Sequence, residues 1–101
     1  MSEIRKVMCC CGQGLGSSMM VEMNIQKALK KIGKGDVKVS HTSLSEANPD
    51  AADLFVVGRD LAPQLRSYPR VVVLKKIMSL AELTEKLEKA FAMDTDTFFI
   101  E

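Results

Sequence analysis

The sequence alternates short apolar runs with amphipathic segments of helical period, and few folds are compatible with that order. Three apolar runs occupy residues 4–10, 54–57 and 71–74, and an alternating apolar and polar run occupies 37–41. Short apolar runs bounded by glycine or polar residues are typical of strands in a parallel sheet, and strict alternation is typical of a half-exposed edge strand. The pattern therefore predicts an α/β fold with four strands.

Three helices are expected between and after these strands. The first spans 18–32 and ends at Gly33, because its apolar residues recur at helical spacing. A short helix at 60–67 follows, with Asp60 as its cap and Pro63 in its first turn. The last helix begins after Ser79, which stands at capping-box spacing from Glu82.

This order of elements predicts one domain over residues 1–101, built as a parallel sheet with helices on both faces. The expected strand order is 2-1-3-4, as in flavodoxin-like folds, and residues 42–53 are expected to be a connection. The apolar residues 98–100 close to the end of the sequence either dock on the domain or mediate self-association.

Charge and composition exclude several classes of function. With 14 basic and 13 acidic residues, the net charge of +1 lacks the basic character that nucleic-acid binding requires. No apolar stretch approaches the roughly 18 residues of a membrane span, and no signal peptide is recognisable. We therefore expect a cytoplasmic protein that does not insert into the membrane, with a folded core supported by 47% hydrophobic residues.

A glycine-rich segment follows the first predicted strand, where ligands bind in folds of this kind. Its glycines allow successive N–H groups to face an anion, and the following helix adds its positive end. The same N–H groups favour the thiolate of Cys11, which is the nucleophilic form, so Cys11 is a candidate phosphoryl acceptor. The predicted phosphate-binding loop comprises Gly12, Gln13, Gly14, Leu15, Gly16, Ser17 and Ser18.

Nucleotide binding and metal or redox chemistry are both disfavoured. The loop lacks the Lys-Ser or Lys-Thr pair of nucleotide P-loops and the glycine spacing of dinucleotide-binding folds. Cys9, Cys10 and Cys11 are consecutive, without C-x-x-C spacing, and His41 is the sole histidine of the sequence. We expect no metal and no cofactor, and we interpret Cys9 and Cys10 as small apolar residues in opposite layers of a buried strand.

The segment C-G-x-G-x-G-S-S, here Cys11 to Ser18, together with the methionines that follow it, resembles the enzyme IIB components of the bacterial sugar phosphotransferase system. The likeness is to the ascorbate and galactitol branch. It implies a phosphocysteine carrier in which Cys11 takes a phosphoryl group from a phosphohistidine of the IIA component. The carrier would pass this group to a sugar held by the membrane-embedded IIC component.

Low-molecular-weight tyrosine phosphatases are the alternative, since their signature places Cys, five residues, Arg and then Ser or Thr on a similar loop. Counted from Cys11, the arginine position holds Ser17. A hydrolase needs that arginine to stabilise the transition state and a carboxylic acid to protonate the leaving group. The sequence therefore favours a carrier over a phosphatase.

Residues around the loop are candidates for partner binding. The helical wheel places Met19 and Met23 opposite the apolar face, either exposed for partners or covered by a loop. Arg59, Lys75 and Lys76 follow the third and fourth strands, where they form a solvated basic rim or steer a phosphorylated partner. His41 is expected to cap an edge strand, close enough to the same edge for a partner contact.

Overall fold

The computed structural model describes residues 4–11, 15–43, 48, 50–59, 61–76, 79–93 and 97–101. The elements are, in chain order, β1 (Lys6–Cys11), α1 (Leu15–Lys31), β2 (Lys38–Ser43), β3 (Leu54–Gly58), a 3₁₀ helix (Ala62–Leu65), β4 (Arg70–Leu74), α2 (Leu80–Ala92) and β5 (Phe98–Ile100).

The strands form one parallel sheet in the order β2-β1-β3-β4-β5. The predicted order of the first four strands is confirmed, but the prediction of a four-stranded sheet is wrong. Residues 98–100 pair with β4, beginning with the N–H of Phe98, which donates to the carbonyl of Pro69 at 2.8 Å. Of the two alternatives for this segment, the structure therefore shows docking on the domain, as a fifth strand.

Two apolar layers cover the sheet. Both α-helices pack on one face, where Val7, Cys9 and Leu54 of the sheet are buried together with residues of α1 and α2. The 3₁₀ helix packs on the opposite face, over Cys10 and Phe55. The prediction of helices on both faces is thus correct in part: within the described ranges, the second face is covered by a single 3₁₀ turn and irregular segments. Cys9 and Cys10 are each 1% exposed and lie in opposite layers, as predicted.

Helix α1 begins three residues earlier than predicted, at Leu15 rather than Ser18. Its end matches the prediction, because Gly33 adopts a left-handed conformation with φ of 81°. The N–H groups of Gly33 and Lys34 donate to the carbonyls of Lys30 and Leu29 at 3.2 and 2.7 Å. This is the Schellman arrangement, which pairs the last helical carbonyls and favours glycine at the left-handed position.

The predicted helix at 60–67 is shorter than expected and of the 3₁₀ type. Pro63 lies in its first turn, as predicted, but Leu61 occupies the position before the first turn and its side chain forms no cap. Asp60, the predicted cap, lies outside the described residues. A single turn of four residues leaves little room for the i to i+4 bonds of an α-helix, and the tighter i to i+3 pattern results.

Strands β1 and β2 extend further toward their carboxyl ends than predicted. β1 includes Cys11, and β2 continues to Ser43, so the segment predicted as a connection from residue 42 begins within a strand. In register, Cys11 lies opposite Ser43. The carboxyl end of β1 is therefore held by backbone pairing up to the candidate nucleophile.

Candidate functional site

Cys11 is the last residue of β1, and three residues separate it from the first residue of α1. β1 lies between β2 and β3 in the sheet. The chain leaves β1 toward β2 and later returns on the other side to β3, so the carboxyl end of β1 is the switch point at which parallel sheets bind ligands. Of the predicted loop, Gly12, Gln13 and Gly14 lie outside the described residues.

The remaining predicted loop residues form the first turn of α1. Leu15, Gly16, Ser17 and Ser18 are helical, and this first turn contains no acidic residue. The backbone N–H groups of a first helical turn have no partner within the helix, and the helix dipole makes that end positive. Because α1 starts early, three residues separate Cys11 from a positive helix end whose N–H groups have no partner within the helix.

The outer side of α1 carries exposed methionines next to this turn. Met19 and Met23 are 55% and 53% exposed, which confirms their predicted exposure. Met20, which was not predicted as part of this surface, is 52% exposed. Its signal in the sequence was its spacing of three residues from Met23, which places both side chains on neighbouring parts of the helix. We call Met19, Met20 and Met23 the methionine surface.

His41 connects the edge strand to the same helix. Its Nδ1 lies 2.8 Å from Oε1 of Glu22, and both side chains are partly buried. Glu22 precedes Met23 in α1, and His41 lies opposite Cys9 in the pairing of β1 and β2. The predicted role of His41 at an edge strand thus takes the form of a link from β2 to α1, beside the methionine surface.

The predicted basic residues lie at the same edge of the sheet as Cys11. Arg59 follows β3, and its N–H donates to the carbonyl of Leu74 at 3.1 Å. Lys75 and Lys76 follow β4, and all three basic residues are exposed. Since parallel strands end at a common edge, the structure brings these cations to the side of the molecule that carries Cys11.

Glu82 of α2 organises the turn that carries Lys75 and Lys76. Its two carboxylate oxygens accept the backbone N–H groups of Lys75 and Lys76 at 2.8 and 2.9 Å. The ammonium group of Lys86 donates to Glu82 at 2.8 Å and to the carbonyl of Val73 at 2.6 Å. The whole arrangement ties the end of β4 to the first turns of α2.

The capping box predicted from Ser79 and Glu82 is therefore only half formed. Oγ of Ser79 accepts the N–H of Glu82 at 3.2 Å, as expected, but the N–H of Ser79 donates to the carbonyl of Lys76. Burial opposes ionisation of Glu82, but its hydrogen bonds from Lys86, Lys75 and Lys76 outweigh burial and lower the pKa of Glu82 to about 2. Glu82 is therefore ionised at neutral pH.

The described part of the chain contains no group of three or more His, Cys, Asp and Glu side chains arranged to hold a metal ion. No helix within it has both the length and the apolar character needed to span a bilayer.

Comparisons with known proteins point to one family. Residues 6–92 match the family model for the lactose/cellobiose-specific IIB subunit of the PTS system. The chain is 30% identical over 71 residues to the mannitol-specific EIICBA components of the PTS from Klebsiella pneumoniae and Escherichia coli. The match covers 69% of this chain but 11% of each relative, so the chain corresponds to a small part of those proteins.

A solved structure supports the fold. The lactose-specific IIB component domain of the phosphoenolpyruvate:carbohydrate phosphotransferase system from Streptococcus pneumoniae superposes with a TM-score of 0.60. The superposition covers 88% of this chain and 99% of that domain, at 14% sequence identity. At this identity the likeness concerns the architecture of the chain.

Proposed function

The chain belongs to the lactose/cellobiose-specific IIB family of the phosphotransferase system. From this premise we propose that it is a phosphotransferase in which Cys11 carries the phosphoryl group. The observation that carries the proposal is the position of Cys11, at the switch point of the sheet and three residues before a helix whose first turn has no acidic residue. Such a site favours both a thiolate and a bound phosphoryl group.

The proposed transfer has two steps. The thiolate of Cys11 attacks the phosphorus of a phosphohistidine on the IIA component. An S–P bond forms, the N–P bond breaks, and the departing ring nitrogen takes up a proton from solvent as the imidazole leaves. A hydroxyl oxygen of the sugar held by the membrane IIC component then attacks the same phosphorus. The S–P bond breaks, the hydroxyl proton is released and the thiolate is restored.

The N–H groups of residues 12–18 hold the phosphoryl oxygens in this proposal, and Ser17 in place of an arginine suits a carrier. A phosphatase stabilises the attack of water with a bidentate arginine, whereas a carrier benefits from slow hydrolysis of its phosphocysteine. Purified protein should therefore release little phosphate from an aryl phosphate. Sustained turnover of that substrate would favour the phosphatase alternative.

Docking of both partners is assigned to the methionine surface and to the basic residues Arg59, Lys75 and Lys76. Unbranched methionine side chains adapt to different surfaces, and a carrier must bind a donor and an acceptor in turn. The cations attract a partner that arrives with a phosphoryl dianion. The carrier is proposed to act in the cytoplasm, where a thiol such as Cys11 stays reduced.

For the sugar we propose a polyol or ascorbate. The glycine-rich segment from Cys11 to Ser18 resembles that of the ascorbate and galactitol branch. The relatives at 30% identity are named as mannitol-specific, and mannitol is a polyol. The test offers mannitol, galactitol, ascorbate, lactose and cellobiose to the phosphorylated protein, together with membranes that contain the IIC component, and identifies which of them is phosphorylated. A product from lactose or cellobiose alone would overturn this assignment.

Intact mass spectrometry tests the role of Cys11. Incubation with the phosphorylated IIA component of the same system should add one phosphoryl group to the unmodified protein and none to Cys11→Ser. Cys9→Ser and Cys10→Ser are matched controls that should still be labelled, because both side chains are buried in the core at 1% exposure. Label on another residue of Cys11→Ser would contradict the assignment.

A further inference from the structure

The ion pair between Glu82 and Lys86 lies beside the turn that carries Lys75 and Lys76. Lys86 is 9% exposed, and the Glu82 side chain is 18% exposed. Removing two charges from water costs about as much as their attraction returns, so apolar replacements of such pairs are often neutral or stabilising. The pair differs from an apolar replacement in that its carboxylate also binds the backbone of the neighbouring turn.

The contacts of Glu82 fix a specific piece of backbone. Its two oxygens accept two consecutive N–H groups, those of Lys75 and Lys76, immediately after β4. Lys86 holds Glu82 in place and is itself anchored on the carbonyl of Val73 within β4. The two N–H groups of the turn are therefore bound by a carboxylate of α2, and Lys86 fixes that carboxylate to β4.

The turn carries more positive than negative charge, and the excess lies on its exposed side chains. The carboxylate of Glu82 is matched by the ammonium group of Lys86, and its oxygens contact the backbone of Lys75 and Lys76. The side chains of Lys75 and Lys76 are exposed at the edge that carries Cys11. The turn thus keeps a net positive charge on the side from which a partner would approach.

We propose that Glu82 and Lys86 are positioning residues that hold Lys75 and Lys76 in the orientation needed to dock the phosphorylated partner. This inference rests on the proposed function, in which the partner brings a phosphoryl dianion to Cys11. A turn that is already ordered loses less conformational freedom on binding, so the two cations attract the partner at a lower cost. Glu82 acts through the two lysines and does not itself touch the phosphoryl group.

Phosphorylation kinetics test the proposal. The initial rate of Cys11 phosphorylation is measured against the concentration of the phosphorylated IIA component, at low and high salt. Glu82→Gln should raise KM about tenfold, because both lysines would then have to be ordered when the partner binds, and it should leave kcat within about twofold. The rise should be smaller at high salt. Glu85→Gln, an exposed carboxylate on the same helix, is the matched control and should leave KM unchanged.

The decisive comparison uses the double variant Lys75→Ala/Lys76→Ala. If Glu82 acts through these lysines, adding Glu82→Gln to the double variant should raise KM no further. An equal rise in both backgrounds would overturn the positioning role, and so would a fall in kcat with KM unchanged.

Lys86→Met is the second variant, for use if Glu82→Gln is unfolded at the assay temperature. It keeps the carboxylate but removes its ammonium partner, and it should raise KM in the same lysine-dependent manner. A failure to label the unmodified protein at all would overturn the carrier function and the positioning role together. Labelling with additive effects on KM would overturn the positioning role alone.

Discussion

Glu82 should make the stability of this protein depend on pH in the acid range. Its pKa falls from an ordinary value of 4.5 to about 2 in the folded protein, because hydrogen bonds from Lys86, Lys75 and Lys76 outweigh the effect of burial. A group whose pKa is lowered by folding stabilises the folded state above its unfolded pKa. This contribution is lost as pH falls from about 4.5 toward 2.

The contribution of Glu82 to the free energy of unfolding follows from the size of its pKa shift. One pKa unit corresponds to about 1.4 kcal/mol, which sets an upper value of about 3 kcal/mol for this shift. Because the Glu82 side chain is 18% exposed, solvent screens part of the interaction, and we expect about 1 to 2 kcal/mol. This part of the unfolding free energy should be present at pH 7 and nearly absent at pH 2.

Glu82→Gln replaces the ionisable carboxyl group with a neutral amide that does not titrate. The amide oxygen of glutamine can accept one of the two backbone N–H groups, but its NH₂ group cannot accept the other, and Lys86 loses its anion. We expect the variant to be less stable by about 2 to 3 kcal/mol at pH 7. The difference in the free energy of unfolding between the parent and Glu82→Gln should shrink by about 1 to 2 kcal/mol at the lowest pH at which both proteins fold.

Urea unfolding at a series of pH values from 7 to 2 measures this difference. Glu85→Gln serves as the control, and it should stay within about 0.5 kcal/mol of the parent at neutral pH, as exposed substitutions usually do. A gap between the parent and Glu82→Gln that is as large at pH 3 as at pH 7 would refute the assigned hydrogen-bond network.

Two further predictions concern the surface and the end of α1. Met19→Asp and Met23→Asp should change the unfolding free energy by no more than about 0.5 kcal/mol, because both side chains are more than half exposed. Both substitutions should nevertheless slow phosphorylation of Cys11 in a transfer time course. Met93→Asp is the control and should not slow it, because Met93 is an exposed methionine just beyond α2. If the Met19 and Met23 variants melt far below the parent, these methionines support the core. Gly33→Ala should cost about 1 kcal/mol in urea unfolding, since the φ of 81° disfavours any side chain although no atom lies within 4 Å of the added Cβ. Gly35→Ala is the control, because Gly35 has no positive φ and its added Cβ would lie 3.3 Å from Cγ of the exposed Lys30 side chain, which can move aside. Equal losses at both positions would contradict this explanation.

The central part of the fold was predictable because its signals are local. Strands β3 and β4 are buried on both faces, so their sequences are nearly uninterrupted apolar runs. Strand β5 was not predictable in the same way. It has three residues, all half-buried, and its pairing depends on the open edge of β4, which is a property of the assembled sheet.

The candidate site was predictable to a similar extent. The order of strand, cysteine, glycines and helix identifies Cys11, but the start of α1 at Leu15 was hidden by Gly16, which has a low helix propensity. The spacing of Ser79 and Glu82 predicted a local cap. It could not show that Glu82 would turn toward Lys75 and Lys76, because those contacts arise only when the β4 end and α2 are packed together.

The two α-helices differ in charge at their first turns, and the difference supports the proposed role of Cys11. Each helix follows the carboxyl end of a parallel strand, so both positive ends lie toward one edge of the sheet. The first turn of α2 contains Glu82, whose carboxylate takes up the nearby N–H groups of Lys75 and Lys76. The first turn of α1 contains no acidic residue, which favours an anion at that helix end, where the proposed phosphoryl group on Cys11 would lie.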